Sequence, residues 1–103
     1  MTTLRWTLRA QRDLLEIGNP LAQEDPELAR RWVERLRKRA RVALTDPYGG
    51  RRVPELGRED VREVFPSRTY RIVYRATDNE IHILTIFRRH RLSTRDEASD
   101  QDT

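Results

Sequence analysis

The sequence contains no cysteine, and this absence excludes disulfides, thiolate metal ligands and cysteine nucleophiles. It has two histidines, His82 and His90, without an acidic cluster around them, so we expect no metal site. No glycine-rich loop fits a phosphate-binding motif, so we expect no cofactor. No apolar run approaches the roughly 18 residues that span a membrane, and residues 1–6 lack the apolar core of a signal peptide. The sequence therefore predicts a cytoplasmic protein that has no membrane partner.

Basic residues are concentrated in the body of the chain. The 103 residues include 21 Lys and Arg and 17 Asp and Glu, but residues 96–103 carry four acids and no base. Residues 1–95 therefore have a net charge of +8, which suggests a polyanionic partner, either a nucleic acid or an acidic protein. Because 20 of the 21 bases are arginine, a bias in genome composition is an alternative cause. We predict one domain over residues 1–95, followed by an acidic, frayed tail at 96–103.

Hydrophobic periodicity predicts one strand and two helices in the first half of the chain. Residues 4–8 alternate between apolar and polar, which is typical of a short strand, although Thr7 could instead cap the helix that follows. The first helix is predicted to end near Ile17, because Gly18-Asn19-Pro20 interrupts its apolar face, and it could resume after the proline. A second helix of about 18–20 residues is predicted to begin at Asp25-Pro26, where Asp supplies the cap and Pro the first helical residue.

Three strands are predicted in the second half, over residues 61–65, 69–76 and 81–88, after a loop at 51–60. Short connections make these strands an antiparallel meander. In the middle strand, Tyr70, Ile72 and Tyr74 share one face, whereas Arg71, Val73 and Arg75 share the other. The predicted fold class is α+β, in the order β-α-α-β-β-β, with a helical hairpin packed on one face of a mainly antiparallel sheet. The other face is left uncovered.

Arginines form the most informative group of candidate functional residues. They lie in the predicted strands and at the end of the last one, and antiparallel pairing can bring them onto one surface: Arg62, Arg71, Arg75, Arg88, Arg89 and Arg91. Guanidinium groups suit phosphate oxygens and can stabilise charge that develops during phosphodiester cleavage. Glu55 and His90 could supply the proton acceptor and donor that RNA cleavage through the 2′-hydroxyl requires. The alternative is a solvated basic rim that pairs with Asp60, Glu63 and Asp78.

Four ordered segments resemble the RelE/ParE toxin superfamily. They are the Asp-Pro to Gly-Arg turn at 46–51, Val-Pro-Glu-Leu at 53–56, Tyr-Arg-Ile-Val-Tyr at 70–74 and Ile-His-Ile-Leu at 81–84. The resemblance covers residues 4–92 and implies the predicted element order. It also implies a cytoplasmic toxin that arrests growth and is neutralised by a cognate antitoxin encoded by an adjacent gene. RelE-like members of the superfamily cleave mRNA on the ribosome, whereas ParE-like members poison DNA gyrase.

The resemblance also assigns roles to single residues. Arg71 matches a catalytic arginine of the RNA-cleaving branch, and Arg62 falls where that branch has a catalytic lysine. Arg91 falls at a second arginine of that branch, Glu55 matches a general-base glutamate, and His90 lies within one residue of a histidine. This chain departs from the RNA-cleaving pattern at its end, because no tyrosine follows Tyr74.

Three functions therefore stay open at this point, and with them whether the protein is an enzyme. We favour a ParE-like gyrase poison, in which the target-binding residues are Arg71, Arg75, Arg88, Arg89 and Arg91. The second reading is a RelE-like mRNA endonuclease that uses Glu55, Arg62, Arg71, His90 and Arg91. The third is a basic nucleic-acid-binding module without toxicity.

Overall fold

The helical layer is a hairpin of two helices. The computed structural model describes residues 2–89 and the backbone of residues 94–95 and 97–98. Helix α1 spans Leu8–Glu24, and Thr7 caps it, since its hydroxyl accepts from the Ala10 N–H at 3.1 Å. Helix α2 spans Pro26–Arg41 and continues as a 3-10 turn over Val42–Leu44. The predicted start of α2 is confirmed, because the Asp25 side chain accepts from the Leu28 N–H and Pro26 is the first helical residue.

The predicted end of α1 near Ile17 was wrong, because the helix continues through Pro20. Proline removes one backbone hydrogen bond, but the packing of α1 on α2 outweighs this loss. Gly18 is buried so close to α2 that a Cβ atom there would lie 3.1 Å from Val33 Cγ2. Gly18, which lies at the predicted end of the helix, therefore allows a close contact between the two helices.

The sheet has five strands: β1 (Thr3–Trp6), β2 (Arg51–Arg52), β3 (Val61–Val64), β4 (Tyr70–Ala76) and β5 (Glu80–Arg88). Their order across the sheet is β1-β5-β4-β3-β2. Strands β3, β4 and β5 form the predicted antiparallel meander, and β1 joins β5 in parallel. Strand β2 pairs antiparallel with β3 inside the segment that we predicted to be a loop, which corrects that prediction.

Near the end of the chain, two further strands, β6 at Thr94–Arg95 and β7 at Glu97–Ala98, pair with each other. The predicted frayed tail at 96–103 otherwise lies outside the described residues.

The main hydrophobic core lies between the helices and one face of the sheet. Tyr70, Ile72 and Tyr74 are buried there against Leu14 and Leu36, so the predicted alternation of β4 is confirmed. A small second cluster on the other face contains Val53, Val61 and Val73, with Leu84 packed against it. The helices therefore cover one side of the sheet. The opposite side, which we call the open face, has only this second cluster as its apolar surface.

A bulge in β5 ties the sheet to helix α1. The register between β4 and β5 shifts at the Val73/Tyr74 step, where β5 has one extra residue. At this point the Asp13 carboxylate of α1 accepts from the Thr85 hydroxyl at 2.5 Å and from the Ile86 N–H at 3.0 Å. No described helix is long and apolar enough to cross a membrane.

Candidate functional site

Arg71 and Arg75 of β4 lie on the open face. Both alternate with the buried residues of the main core, and Val73 between them belongs to the second cluster. The Arg71 side chain is 28% exposed, and its Nε is buried without a hydrogen-bond partner among the described residues. The prediction that Arg71 projects from the uncovered side of the sheet is confirmed.

Glu63 of β3 holds two arginines together on this face. Its side chain is 0% exposed, and Arg51 donates from Nε and Nη2 to its Oε2 at 2.8 and 2.6 Å. On the other side, Arg71 Nη1 lies 3.3 Å from Glu63 Oε1. A buried carboxylate is costly unless it is paired, and here two guanidinium groups from neighbouring strands share its charge. The alternative interpretation of the sequence, a solvated basic rim that pairs with Glu63, is therefore correct in the pairing but wrong in the solvation of Glu63.

Two phenylalanines lie against the same arginines. The Arg71 guanidinium lies 4.9 Å from the centre of the Phe87 ring. The guanidinium carbons of Arg89 and Arg51 lie 4.4 and 5.7 Å from the centre of the Phe65 ring. Both rings are partly exposed. Such cation–π contacts attract a guanidinium to the face of the ring and so restrict its position. We call this group the arginine–phenylalanine cluster: Arg51, Glu63, Phe65, Arg71, Phe87 and Arg89.

Sequence analysis missed the two phenylalanines and the burial of Glu63. For the β-strand residues, the available signal was the alternation of side chains between the two faces of the sheet. Phe87 lies opposite Arg71 in the register of β4 and β5, and Glu63 lies opposite Val73 in that of β3 and β4. The register was not fixed by the sequence, so this signal could not be read before the structure.

Arg75 belongs to a separate ionic group. Its Nε lies 3.3 Å from Asp60 Oδ2, and Arg58 donates to the same carboxylate at 2.6 and 2.9 Å. The hydrogen bonds from Arg58 lower the pKa of Asp60, with a smaller contribution from Arg75. The positive charge of Arg75 is thus partly neutralised within the protein, unlike a fully solvated arginine.

Arg62 is not brought together with Arg71. It pairs in register with Tyr74, so it lies on the helix-covered side of the sheet, and its side chain is 13% exposed. Its guanidinium donates to the Gly50 carbonyl at 3.1 Å, to the Glu59 carbonyl at 2.9 Å and to the Glu59 carboxylate at 2.8 Å. Through these contacts Arg62 has a structural role, because it holds the segment that leads into β2 in place.

The remaining predicted residues are dispersed. Glu55 is exposed in the turn between β2 and β3. Arg88 is exposed and pairs in register with Tyr70, and Arg89 stacks on Phe65. His90 and Arg91 lie outside the described residues. Within the part of the chain that the structure describes, no group of three or more His, Asp or Glu side chains could hold a metal ion.

Comparison with known proteins decides the family. The sequence model of the ParE toxin of the type II toxin–antitoxin system parDE matches residues 4–92. The chain belongs to the ParE toxin family. A protein of Sinorhizobium fredii named "Putative toxin Y4kP" is 37% identical over 87 residues, which cover 84% of this chain and 88% of that protein.

The fold leads to the same family. A solved structure described as the chromosomal ParDE TA system from P. aeruginosa superposes with a TM-score of 0.73 and 26% identity. The match covers 87% of this chain and 98% of the solved one. The predicted superfamily, the α+β fold and the assignment as a type II toxin are confirmed, and the ParE-like reading is favoured over the RelE-like one. As a member of a toxin–antitoxin family, the protein has an antitoxin partner.

Proposed function

We propose that this ParE-family toxin arrests growth by binding DNA gyrase through the open face of its sheet, without making or breaking covalent bonds itself. The observation that carries the proposal is the separation of Arg62 from Arg71. RNA cleavage requires cations, a proton acceptor and a proton donor around one phosphate. Here one of the two candidate phosphate-binding arginines lies on the covered side of the sheet and is occupied by backbone carbonyls.

The open face has the composition of a protein-binding surface. Arginine and aromatic residues are enriched among the side chains that dominate binding energy at interfaces, and the arginine–phenylalanine cluster supplies both. Its guanidinium groups would meet acidic side chains of gyrase or phosphates of the DNA that gyrase holds. We assign target contact to the predicted set Arg71, Arg75, Arg88, Arg89 and Arg91.

The antitoxin would act by covering the same face. A segment of the antitoxin that carries acidic residues complements a surface with several arginines, and it would hide Arg71 from the target. Since gyrase acts on the chromosome, the toxin would work in the cytoplasm. We expect the antitoxin gene to lie next to the gene of this chain.

Purified toxin should test this proposal in a gyrase supercoiling assay. Wild type and the Arg41→Ala variant should inhibit supercoiling, and Arg71→Ala should not. Arg41 is the matched control, because it is also an ion-paired surface arginine but lies on α2, in the helical layer. Glu55→Gln should still arrest growth when its gene is induced. Ribosome-dependent mRNA cleavage by the wild type, together with unaffected supercoiling, would refute the proposal in favour of the nuclease.

A further inference from the structure

Glu63 is the one buried charged residue among those that the structure describes. It stands on the open face, in register with Val73 on one side and Arg51 on the other. A carboxylate at such a position would ordinarily be solvated, because no helix covers this side of the sheet. Here the arginines and the second apolar cluster exclude water from the Glu63 carboxylate, so its charge is compensated only by these arginines.

The two carboxylate oxygens are not equally satisfied. Oε2 accepts both hydrogen bonds from Arg51, whereas Oε1 has no hydrogen-bond partner within the described residues and faces only Arg71 Nη1, at 3.3 Å. If Arg71 turned away, Oε1 would be left buried without a cation next to it, and Arg51 alone would compensate the charge of the carboxylate. The position of the Arg71 guanidinium is therefore coupled to the charge of Glu63.

A second contact restricts Arg71 from another direction. The ring of Phe87 lies 4.9 Å from its guanidinium carbon, so ring and carboxylate together set both the plane and the edge of the group. A buried ion pair is a poor means of stabilising a fold, because well-packed apolar residues often do as well or better. The ion pair and the ring contact instead fix the orientation of the Arg71 guanidinium, which matters more for binding than for the stability of the fold.

We infer that Glu63 is a positioning residue, which holds Arg51 and Arg71 side by side as one guanidinium pair that receives an acidic side chain of the target protein. This inference rests on the proposed function, because it takes the open face as the surface that binds the target. Glu63 itself does not contact the target, since its side chain is fully buried.

The test compares Glu63→Gln with Glu59→Gln. Glu59 is a matched control, because it also pairs with two arginines, Arg52 and Arg62, but is 74% exposed. Loss of the buried charge should weaken binding to purified gyrase about tenfold, as expected for strongly coupled neighbouring residues, and Glu59→Gln should leave binding unchanged. In an Arg71→Gln background, where Glu63 positions only Arg51, Glu63→Gln should cause a smaller loss. Equal losses in both backgrounds would overturn the inference.

A nuclear magnetic resonance measurement separates positioning from stability, and it needs no target. The Arg71 Nε–H resonance should change its shift and its exchange with water in Glu63→Gln but not in Glu59→Gln. An unchanged Arg71 signal in a folded Glu63→Gln variant would refute the role. If that variant does not fold, Glu63→Asp is used instead, because it keeps the charge but moves it away from Arg71 by one methylene. An unchanged Arg71 signal in Glu63→Asp would also refute the role.

The same experiment distinguishes failure of the proposed function from failure of this inference. If wild type does not bind gyrase, the proposed target is wrong, and growth arrest on induction replaces gyrase binding as the functional readout. Glu63→Gln should then still reduce growth arrest, and Glu59→Gln should not. Full growth arrest by Glu63→Gln would show that the position of Arg71 is irrelevant to toxicity.

Discussion

The Tyr74 hydroxyl joins the sheet to the turn that precedes β2, and its removal tests how that edge is held. Tyr74 is 2% exposed, donates to the Pro47 carbonyl at 2.8 Å and accepts from the Gly50 N–H at 3.3 Å. Replacement of Tyr74 with Phe keeps the ring in the core and deletes both hydrogen bonds. Any change in stability then reports on the hydroxyl alone.

The expected loss of stability depends on whether each hydrogen-bond partner of the Tyr74 hydroxyl can find another partner. The Gly50 N–H is buried and would remain without an acceptor, whereas the Pro47 carbonyl is partly exposed and can turn to water. A buried N–H without an acceptor costs about 1–3 kcal/mol and a carbonyl that turns to water adds little, so Tyr74→Phe should lower the free energy of unfolding by about 2 kcal/mol. For a domain of this size, the melting temperature should fall by roughly 8–16 °C.

An alkaline titration adds a second test with a defined sign. Burial raises the pKa of Tyr74, which means that the folded state favours the neutral phenol. A raised folded pKa contributes stability that is fully present below the unfolded tyrosine value of about 10 and is lost as the pH rises through the folded value. The difference in stability between wild type and Tyr74→Phe should therefore narrow above about pH 10.

Urea denaturation followed by circular dichroism measures both effects, and Tyr48→Phe is the control. Tyr48 is exposed, and its ring lies under Arg62, a contact that phenylalanine keeps. The control should stay within about 0.5 kcal/mol of wild type. Equal stability of Tyr74→Phe and Tyr48→Phe at neutral pH would show that the hydroxyl does not hold the turn.

Three further predictions concern the helix cap, the bulge and the contact between His82 and Glu80 in β5. Asp25→Ala removes the cap of α2 and should lower the free energy of unfolding by about 1 kcal/mol in urea denaturation. Asp13→Ala leaves the Ile86 N–H in the bulge without its acceptor and should cost about 1–3 kcal/mol in the same assay. The hydrogen bond with His82 is the main cause of the lowered pKa of Glu80, so a carbon-13 titration should show a higher Glu80 pKa in His82→Asn than in wild type, and no change would contradict the contact.

Local chemistry in the sequence predicted most of the fold. The Asp25-Pro26 cap, the alternation in β4 and the short turns between strands are local signals, and each led to the correct element. Pro20 suggested a helix end that the structure does not have, because the packing of Gly18 on Val33 is a contact between helices that periodicity does not reveal. Strand β2 was missed since two residues are too few to show alternation.

The candidate site was less predictable, because it depends on the register between strands. The sequence placed Arg71 on the uncovered side of the sheet, and this part is correct. It could not tell that Glu63 is buried, since a charged residue in a strand is normally solvated. It also could not place Arg62, whose side of the sheet depends on how β3 aligns with β4.

That register is set by the core, and this argues against an arrangement in which Arg62 and Arg71 share a phosphate. A shift of β3 by one residue would bring Arg62 to the open face, but it would also turn Val64 out of the main core. The same shift would carry Glu63 beneath the helices and away from Arg51 and Arg71, and an unpaired buried carboxylate costs about 3–5 kcal/mol. The contacts that fold β3 thus keep the two arginines on opposite sides of the sheet. A toxin built on this register can present Arg71 to a partner, but it cannot use Arg62 beside it.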